Sequence, residues 1–280
     1  MCALAVAGSP LRRAFGLSLA TFALATPYLL PASHHVARTA LAIFVFVGCM
    51  RVIDLMAVQW GPAERVKHVL SAVDSRKTLR VPRSLDARSL VKVAAWGVVA
   101  AACWWLLVRA APGAPPGPCR WLARWASGLA FIYTLTEAVY ALILAGHAAV
   151  GLRTPTLHRH PAASRSVQEF WGYRWNRTVS AWLGETFFRP FARRRRPWLG
   201  VLLAFVVSAI AHAYIALVAA GFAMAGLMLL FFVLQGVVIL LEFALGTARW
   251  RPGLGHAWTI LWMVGASPLF TEPFLRMIGV

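Results

Sequence analysis

The sequence predicts an all-α protein: a polytopic transmembrane helical bundle of about seven spans, with an interfacial amphipathic helix and an enclosed chamber. Of its 280 residues, 60% are apolar and only 13% are charged, which leaves too few polar residues to cover a soluble domain. The apolar residues are gathered into runs long enough to cross a bilayer. The basic residues are sorted between these runs in the way that is typical of multi-pass membrane proteins.

Seven apolar runs approach the roughly 20 residues that a transmembrane helix needs. They lie at about 15–31, 39–60, 92–110, 128–150, 198–219, 223–245 and 257–280. The first run follows Arg12 and Arg13 in the manner of a signal peptide, but no small-residue cleavage site separates it from the rest. We therefore interpret all seven runs as spans of one integral-membrane domain that covers residues 1–280.

The segments between the spans differ sharply in charge. The N-terminal tail carries two basic residues, and residues 61–92, 151–197 and 246–255 carry eight, ten and two. With seven spans, these four segments hold 22 of the 28 Lys and Arg residues on one face of the membrane, which the positive-inside rule makes cytoplasmic. The net charge of +19 is thus explained by membrane orientation, and we expect no nucleic-acid partner.

Several other classes of site find no support in the sequence. Cys2, Cys49, Cys103 and Cys119 show no CxxC spacing, which argues against a disulfide framework and against a metal site. No GxGxxG, P-loop or HExxH pattern occurs, so dinucleotide binding, nucleotide hydrolysis and zinc proteolysis have no motif. We expect neither a metal nor a cofactor.

The segment 168–188 is unusually rich in aromatic residues for a loop. At 3.6 residues per turn it predicts a helix with two neighbouring stripes: Trp171, Trp175, Thr178 and Trp182, and Gly172, Asn176, Val179 and Leu183. Such a helix would lie in the headgroup zone with its aromatic face toward the lipid, and the following ARRRRP sequence at 192–197 would end it. Taken alone, this segment is also explained as a membrane anchor without chemistry.

One histidine lies deep within a predicted span, where ionisable residues are costly and usually functional. His212 is 14 residues beyond Trp198, which places it roughly 20 Å from the predicted cytoplasmic end of its helix. The residues that share or flank its helix face are small: Ala204, Ser208, Ala211, Ala216 and Ala219. They allow either close helix packing or a passage for a chain-like ligand. A histidine that only bonds a neighbouring helix is the alternative.

A buried imidazole is suited to base catalysis. Desolvation disfavours its charged form, so that one ring nitrogen is free to accept a proton. In a chamber without water, such a base can take the proton of an alcohol while the alcohol oxygen attacks an activated carbonyl. An amide such as that of Asn176 could orient the donor or stabilise the charge that develops on the carbonyl oxygen.

Other polar residues within the predicted spans have simpler interpretations. Arg51 and Asp54 are three residues apart and are expected to pair with each other. Two carboxylates could line a polar cavity, although bonds between helices explain them equally well: Glu137 near Thr134 and Tyr140, and Glu242 seven residues after Gln235. The remaining histidines are predicted in loops or near helix ends, where solvation explains them: His34, His35, His68, His147, His158, His160 and His256.

The run SVQEFWGYRWNRTVSAWL at 166–183 resembles the FWGxRWN motif of wax synthase-type members of the membrane-bound O-acyltransferase superfamily. The sequence TPTLHRHPAASRS at 154–166 resembles the approach to that motif. Downstream, SAIAH at 208–212 is similar to the stretch that ends in the family's histidine, and SPLFTEPF at 267–274 is similar to its last span. The family-like core therefore covers about 154–274.

This resemblance implies roles for individual residues. It identifies His212 as the catalytic base and Asn176 as a second catalytic residue. Six further residues would bind substrate or shape the entrance for the acyl donor: Phe170, Trp171, Arg174, Trp175, Ser208 and Glu242.

Two positions depart from the family pattern. Ala213 stands where a glutamate often follows the histidine, so the help of a carboxylate would have to come from elsewhere, for example from Glu242. Tyr173 replaces a usual arginine, which removes one cation near the expected coenzyme A phosphates.

The resemblance implies transfer of an acyl group from acyl-CoA, as co-substrate, to the hydroxyl of a lipophilic alcohol in a buried reaction chamber. Arginines of the 151–197 loop would attract the anionic coenzyme A: Arg174, Arg177, Arg189 and residues 193–196. The acceptor is left open between a wax-forming alcohol and a terpenoid, sterol or polyketide. The other hypotheses are a non-catalytic lipid-binding scaffold and a proton-coupled transporter that uses Glu137, His212 and Glu242 as a relay.

Overall fold

The computed structural model describes residues 10–55, 60–70 and 77–280, without the Arg12 side chain. Cys2 and parts of the predicted span 39–60 and of the basic segment 61–92 lie outside the described residues. The helices are α1 (Pro10–Ala23), α2 (His35–Asp54), α3 (Pro62–Leu70), α4 (Ala87–Gly113), α5 (Pro118–Ala149), α6 (Val167–Glu169), α7 (Arg177–Leu183), α8 (Arg189–Arg193), α9 (Pro197–Ala220), α10 (Phe222–Leu245), α11 (Pro252–Ala266) and α12 (Pro268–Met277).

Short elements connect or interrupt these helices. π-Helical turns occur at Leu106–Ala110 within α4, at Phe170–Arg174 after α6 and at Gly184–Phe188 between α7 and α8. Single 3-10 turns lie at Thr26–Leu29, Pro161–Ala163 and Thr247–Arg249. Two short strands, β1 (Leu79–Arg80) and β2 (Leu152–Arg153), pair antiparallel, with Leu79 opposite Arg153.

Five helices in the described part of the chain are long and apolar enough to cross a membrane: α2, α4, α5, α9 and α10. They correspond to the second through sixth predicted spans, which confirms the multi-pass character. The first predicted span is the 14-residue α1 followed by a 3-10 turn, and the last is divided into the 15-residue α11 and the 10-residue α12. A total of seven crossings therefore stays a prediction.

Two helical hairpins dominate the packing. Helix α4 lies along α5, and α9 lies along α10. Helix α12 connects the two hairpins, since it packs on α10 and also meets α5 where Gly128 lies against Thr271 and Leu275. At the same seam the Arg124 guanidinium bonds the Glu272 carboxylate at 3.0 Å.

Three of the four basic segments meet at one end of the bundle. Strands β1 and β2 join residues 61–92 to residues 151–197, and Lys77 Nζ lies 3.2 Å from Glu185 Oε1. Gly255, in the basic segment 246–255, lies close to the Arg165 carbonyl oxygen of segment 151–197. A Cβ at Gly255 would be 2.5 Å from that oxygen. These contacts agree with the sorting of charge in the sequence. That this end faces the cytoplasm stays a prediction.

A buried cluster of polar side chains surrounds Asp54 at the C-terminal end of α2. Asp54 Oδ2 lies 3.4 Å from Arg51 Nη1, so the predicted pair is present. The same oxygen lies 3.2 Å from His68 Nε2, and Trp182 Nε1 donates to Asp54 Oδ1 at 2.9 Å. The expectation of a solvated His68 is wrong, because α3 folds back onto α2 and leaves this side chain 0% exposed.

The aromatic segment is not the single helix that the sequence predicts. After the turn at Phe170–Arg174, Trp175 is extended and Asn176 adopts the left-handed region at φ 36°. Asparagine tolerates this conformation better than most residues, and its Oδ1 accepts a bond from Val179 N at 3.4 Å, which caps α7. This local cap interrupts the helix and directs Trp171 and Trp182 to different neighbours.

Gly200 lets the segment before α9 pack directly on that helix. A Cβ at Gly200 would lie 2.8 Å from the Phe188 carbonyl oxygen and 3.0 Å from Phe188 Cα. We expect Gly200→Ala to lower the free energy of unfolding by about 1–3 kcal/mol, as overpacking does, and to lower the melting temperature in detergent.

Gly226→Ala is the matched control, because nothing lies within 4 Å of the Cβ position in this α10 glycine. This variant should be neutral or slightly stabilising, since alanine favours a helix. Equal melting temperatures for the two variants would contradict the packing argument.

Candidate active site

A cavity of about 1150 Å³ lies between α5 on one side and the α9–α10 hairpin on the other. The aromatic segment and α12 complete its wall. This volume is slightly larger than the roughly 300–1,000 Å³ that is usual for small-molecule sites. Six of the predicted site residues line it: Phe170, Trp171, Trp175, Asn176, Ser208 and His212.

The His212 ring is held by its own helix and by α10. Its Nδ1 lies 2.8 Å from the Ser208 carbonyl oxygen, and the ring stacks on Phe232 with 3.9 Å between centroids. The Ser208 hydroxyl lies at 3.5 Å from the same nitrogen. A carbonyl oxygen can only accept, so Nδ1 donates, and the lone pair of the neutral ring is then on Nε2. The geometry therefore selects the tautomer in which Nε2 can act as a base.

Asn176 contributes an amide to the cavity wall. Its left-handed backbone turns the chain from the aromatic turn into α7, and its Oδ1 is engaged by Val179 N. The side-chain amide nitrogen has no hydrogen-bond partner among the described residues. An N–H donor in a cavity wall can bind a carbonyl or a developing oxyanion.

Trp175 forms an aromatic stack that supports the cavity wall. It stacks on His158, at 4.3 Å between ring centroids, and on Phe170, at 5.7 Å. His158 Nδ1 in turn lies 2.8 Å from Glu137 Oε1 on α5, and its side chain is 4% exposed. The expectation of a solvated His158 is therefore wrong.

The sequence does not show that the loop before the aromatic segment folds back against α5. Tyr140 of α5 holds this loop, because its hydroxyl donates to the Pro155 carbonyl at 2.9 Å and accepts from Leu157 N at 2.7 Å. Glu137 and Tyr140 therefore do not line this cavity, as one interpretation of the sequence had it, and they bind the loop instead.

Gln235 fixes the orientation of Trp171. Its Oε1 accepts from Trp171 Nε1 at 3.2 Å and from Trp262 Nε1 at 3.0 Å. The residue is 0% exposed and does not line the cavity. An amide in the middle of an apolar helix such as α10 indicates from the sequence that the residue has hydrogen-bond partners. The sequence does not indicate that these partners are two indoles.

The structure does not bring Arg174 to the cavity wall. Its guanidinium pairs with Glu169 at 2.7 Å and donates to the carbonyls of Arg159 and His160. Burial by itself would raise the pKa of Glu169, but bonds from the Arg165 backbone N–H and from Arg174 outweigh it and lower the pKa. This pair stabilises the turn between the 154–160 loop and the aromatic segment.

Glu242 also lies outside the cavity wall. Its carboxylate is buried and accepts bonds from Val167 N at 2.7 Å, from Gln168 N at 2.9 Å and from Trp258 Nε1 at 2.9 Å. It therefore binds the start of α6 and fastens the aromatic segment to α10. Glu137, His212 and Glu242 each have separate partners, an arrangement that offers no continuous proton relay.

One part of the cavity wall is basic. The lining residues there include Lys77, Arg159, Arg177 and Arg189. Lys77 is paired with Glu185, and Arg177 donates to Thr156 Oγ1 at 2.7 Å. Within the described ranges, Arg159 and Arg189 have no carboxylate at ion-pair distance. We call this region the basic mouth. The sequence pointed to Arg177 and Arg189 but not to Lys77 or Arg159.

Comparison with known proteins gives consistent matches. Residues 154–234 match the Membrane bound O-acyl transferase family. An Arabidopsis thaliana protein named "Probable long-chain-alcohol O-fatty-acyltransferase 2" is 31% identical over 161 residues, which are 52% of this chain and 47% of that protein. The "Long-chain-alcohol O-fatty-acyltransferase" of Simmondsia chinensis is 31% identical over 160 residues, 51% of this chain and 44% of that protein.

The chain spans about half the length of the curated relatives that it matches. The matched family region begins at Thr154 and contains both the FWGYRWN sequence and His212. These matches confirm the resemblance that was found from those motifs, and the roles of individual residues stay predictions. Through residues 154–234 the chain is similar to the Membrane bound O-acyl transferase family, and about half of the chain is similar to proteins named long-chain-alcohol O-fatty-acyltransferases.

Proposed function

We propose that this protein is an acyl-CoA-dependent O-acyltransferase that transfers an acyl group to the hydroxyl of a lipophilic alcohol. The names of its relatives favour a fatty acyl donor and a long-chain alcohol; a terpenoid, sterol or polyketide acceptor is the alternative. The proposal treats residues 1–280 as one membrane domain with its N-terminus and its 151–197 loop in the cytoplasm. Coenzyme A thioesters would then approach the basic mouth.

The observation that carries the proposal is the bond between His212 Nδ1 and the Ser208 carbonyl within the cavity wall. It leaves Nε2 as the basic atom of a neutral ring. We infer that Nε2 takes the proton of the alcohol while the alcohol oxygen attacks the thioester carbonyl carbon.

In the remaining steps, the proton that His212 has taken leaves with the coenzyme A thiol. The attack forms a tetrahedral intermediate, and we infer that the Asn176 amide, which lines the same cavity, donates a bond to its oxyanion. When the carbon–sulfur bond breaks, the leaving thiolate takes the proton from His212. The products are an ester and free coenzyme A, and His212 returns to its neutral state.

Apolar surroundings protect such a donor from hydrolysis. Around His212 the wall includes Phe231, Phe232 and Phe270, whose rings pack on one another. An aromatic enclosure excludes water and strengthens the hydrogen bonds inside it.

The basic mouth suggests a test of donor binding. We expect Arg159→Ala and Arg189→Ala each to raise the KM for acyl-CoA about tenfold, because a hydrogen bond to a charged phosphate contributes about 1.5–3 kcal/mol. Arg249→Ala is the control, since this arginine lies at the same end of the bundle but does not line the cavity. Steady-state kinetics at low and high salt measure the effect, which salt should weaken. An unchanged KM in both mouth variants would place the coenzyme elsewhere.

Ester formation itself is the decisive measurement. Purified protein in lipid nanodiscs, given radiolabelled acyl-CoA and a panel of long-chain alcohols, sterols and terpenoids, should form a labelled ester with at least one class. Absence of ester with every acceptor would reject the proposed activity.

A further inference from the structure

The cavity extends along one face of α5 beyond the level of His212. The lining residues of this helix repeat at helical spacing: Leu122, Trp125, Ala126, Leu129, Ala130, Ile132 and Tyr133. Measured from the end of the bundle that holds the basic mouth, His212 is 15 residues along α9 and Tyr133 is 16 residues along α5. The two residues therefore lie at similar depth along their helices. We call the part of the cavity between Tyr133 and Trp125 the α5 arm; Leu122 lies beyond its end.

The side chains of α5 that line the arm are small in its middle and large at Trp125. Ala126 and Ala130 place methyl groups on its wall, whereas Trp125 places an indole there. Trp125 is eight residues from Tyr133, which is about 12 Å along the helix. The Trp125 ring is supported from outside by Trp121, at 5.9 Å between ring centroids.

The seam beside the far end is closed. Helices α5 and α12 touch at Gly128, where a Cβ would lie 2.9 Å from Thr271 Cγ2. Arg124 bonds Glu272 and also donates to the Val280 carbonyl at 3.0 Å. A chain lying in the α5 arm therefore cannot leave between these helices, and it meets Trp125.

No hydrogen bond accounts for the position of Trp125. Its Nε1 is buried and has no partner among the described residues. The ring thus acts on the arm by its bulk, and the unbonded N–H does not fix it to another helix.

A linear donor that occupies these regions together would lie with its acyl chain in the α5 arm. If the coenzyme lies at the basic mouth and the thioester carbonyl lies at His212, the acyl chain continues away from the mouth and into the α5 arm. Twelve ångströms accommodate about ten extended methylene groups, because each carbon–carbon bond of about 1.5 Å advances a zigzag chain by only about 1.25 Å.

We propose that Trp125 sets the length of the acyl chain that the protein accepts, by closing the far end of the α5 arm. This inference rests on the proposed acyltransferase function. Removal of the indole opens the arm toward Leu122, and a large side chain at Ala130 shortens it.

The test compares four proteins in lipid nanodiscs: wild type, Trp125→Ala, Ala130→Phe and the control Trp105→Ala. Trp105 is an exposed tryptophan of α4 that does not line the cavity. Initial rates are measured with saturated acyl-CoA donors of increasing length and one fixed alcohol, and then with one fixed donor and alcohols of increasing length.

We expect Trp125→Ala to move the preferred donor by about two to four carbons toward longer chains, which is the space of an indole. Ala130→Phe should move it toward shorter chains, and Trp105→Ala should match the wild type. An unchanged donor profile in the first two variants, or a shift in the alcohol profile instead, would overturn the role of Trp125. If the wild type formed no ester, the proposed function itself would be rejected. This outcome differs from an unchanged donor profile and from a shifted alcohol profile, in both of which ester is formed.

Discussion

Replacement of His212 by alanine should lower kcat for ester formation by about 10²–10⁴-fold, the usual contribution of a general base. His212→Gln should lose as much, because glutamine keeps polarity at this position but cannot take a proton. The KM for acyl-CoA should change little, since the coenzyme is expected at the basic mouth and His212 lies deeper along α9. Single-turnover assays with labelled acyl-CoA measure the chemical step directly.

His147→Ala is the matched control for this experiment. His147 also lies in a membrane-capable helix, but it does not line the cavity. Its replacement should leave kcat within a few-fold of the wild type. If both histidine variants formed ester normally, His212 would have no part in the mechanism, and its bond to Ser208 would serve helix packing only.

Loss of the Glu242 carboxylate should be the most destabilising single change that the structure predicts. Glu242→Ala leaves Val167 N, Gln168 N and Trp258 Nε1 without their acceptor in a buried site. A buried donor without a partner costs about 1–3 kcal/mol, so the three together should lower the free energy of unfolding by about 3 kcal/mol or more. Thermal and denaturant unfolding in detergent measure the loss.

Glu242→Gln separates this structural role from a catalytic one. Glutamine keeps one acceptor oxygen but presents an N–H₂ group where the second oxygen stood, so its stability should lie between those of the wild type and Glu242→Ala. The pH profile of ester formation by the folded fraction should not change. A Glu242→Ala protein of normal stability with no activity would show that the carboxylate acts in the reaction.

The membrane architecture could be predicted from the sequence because it depends on summed properties of the chain. Five predicted spans coincide with single helices of sufficient length, since a run of about 20 apolar residues is sufficient for one crossing whatever its neighbours are. The first and last predicted spans do not coincide with single long helices. The first is a 14-residue helix followed by a 3-10 turn, and in the last Pro268 starts a new helix within the apolar run. Hydropathy averages do not register such a break.

The backbone course of the aromatic segment depends on the conformation of one residue, which helical periodicity does not predict. Its periodicity suited a continuous helix, yet the left-handed conformation of Asn176 and its cap on α7 divide it. Helical spacing therefore predicted Trp171 and Trp182 on one helix face. In the structure they have different partners: Trp171 bonds Gln235, and Trp182 bonds Asp54.

By itself the sequence determined that this is a multi-pass helical protein, that His212 lies deep in a span and that the FWGYRWN sequence marks a family, because composition, periodicity and motifs are local properties. Only the tertiary structure decided that Asn176, His212 and Trp125 line one cavity and that Glu242 binds the start of α6. Val167 and Glu242 are 75 residues apart in the chain. A contact at that separation depends on how the helices pack, and no local pattern records it.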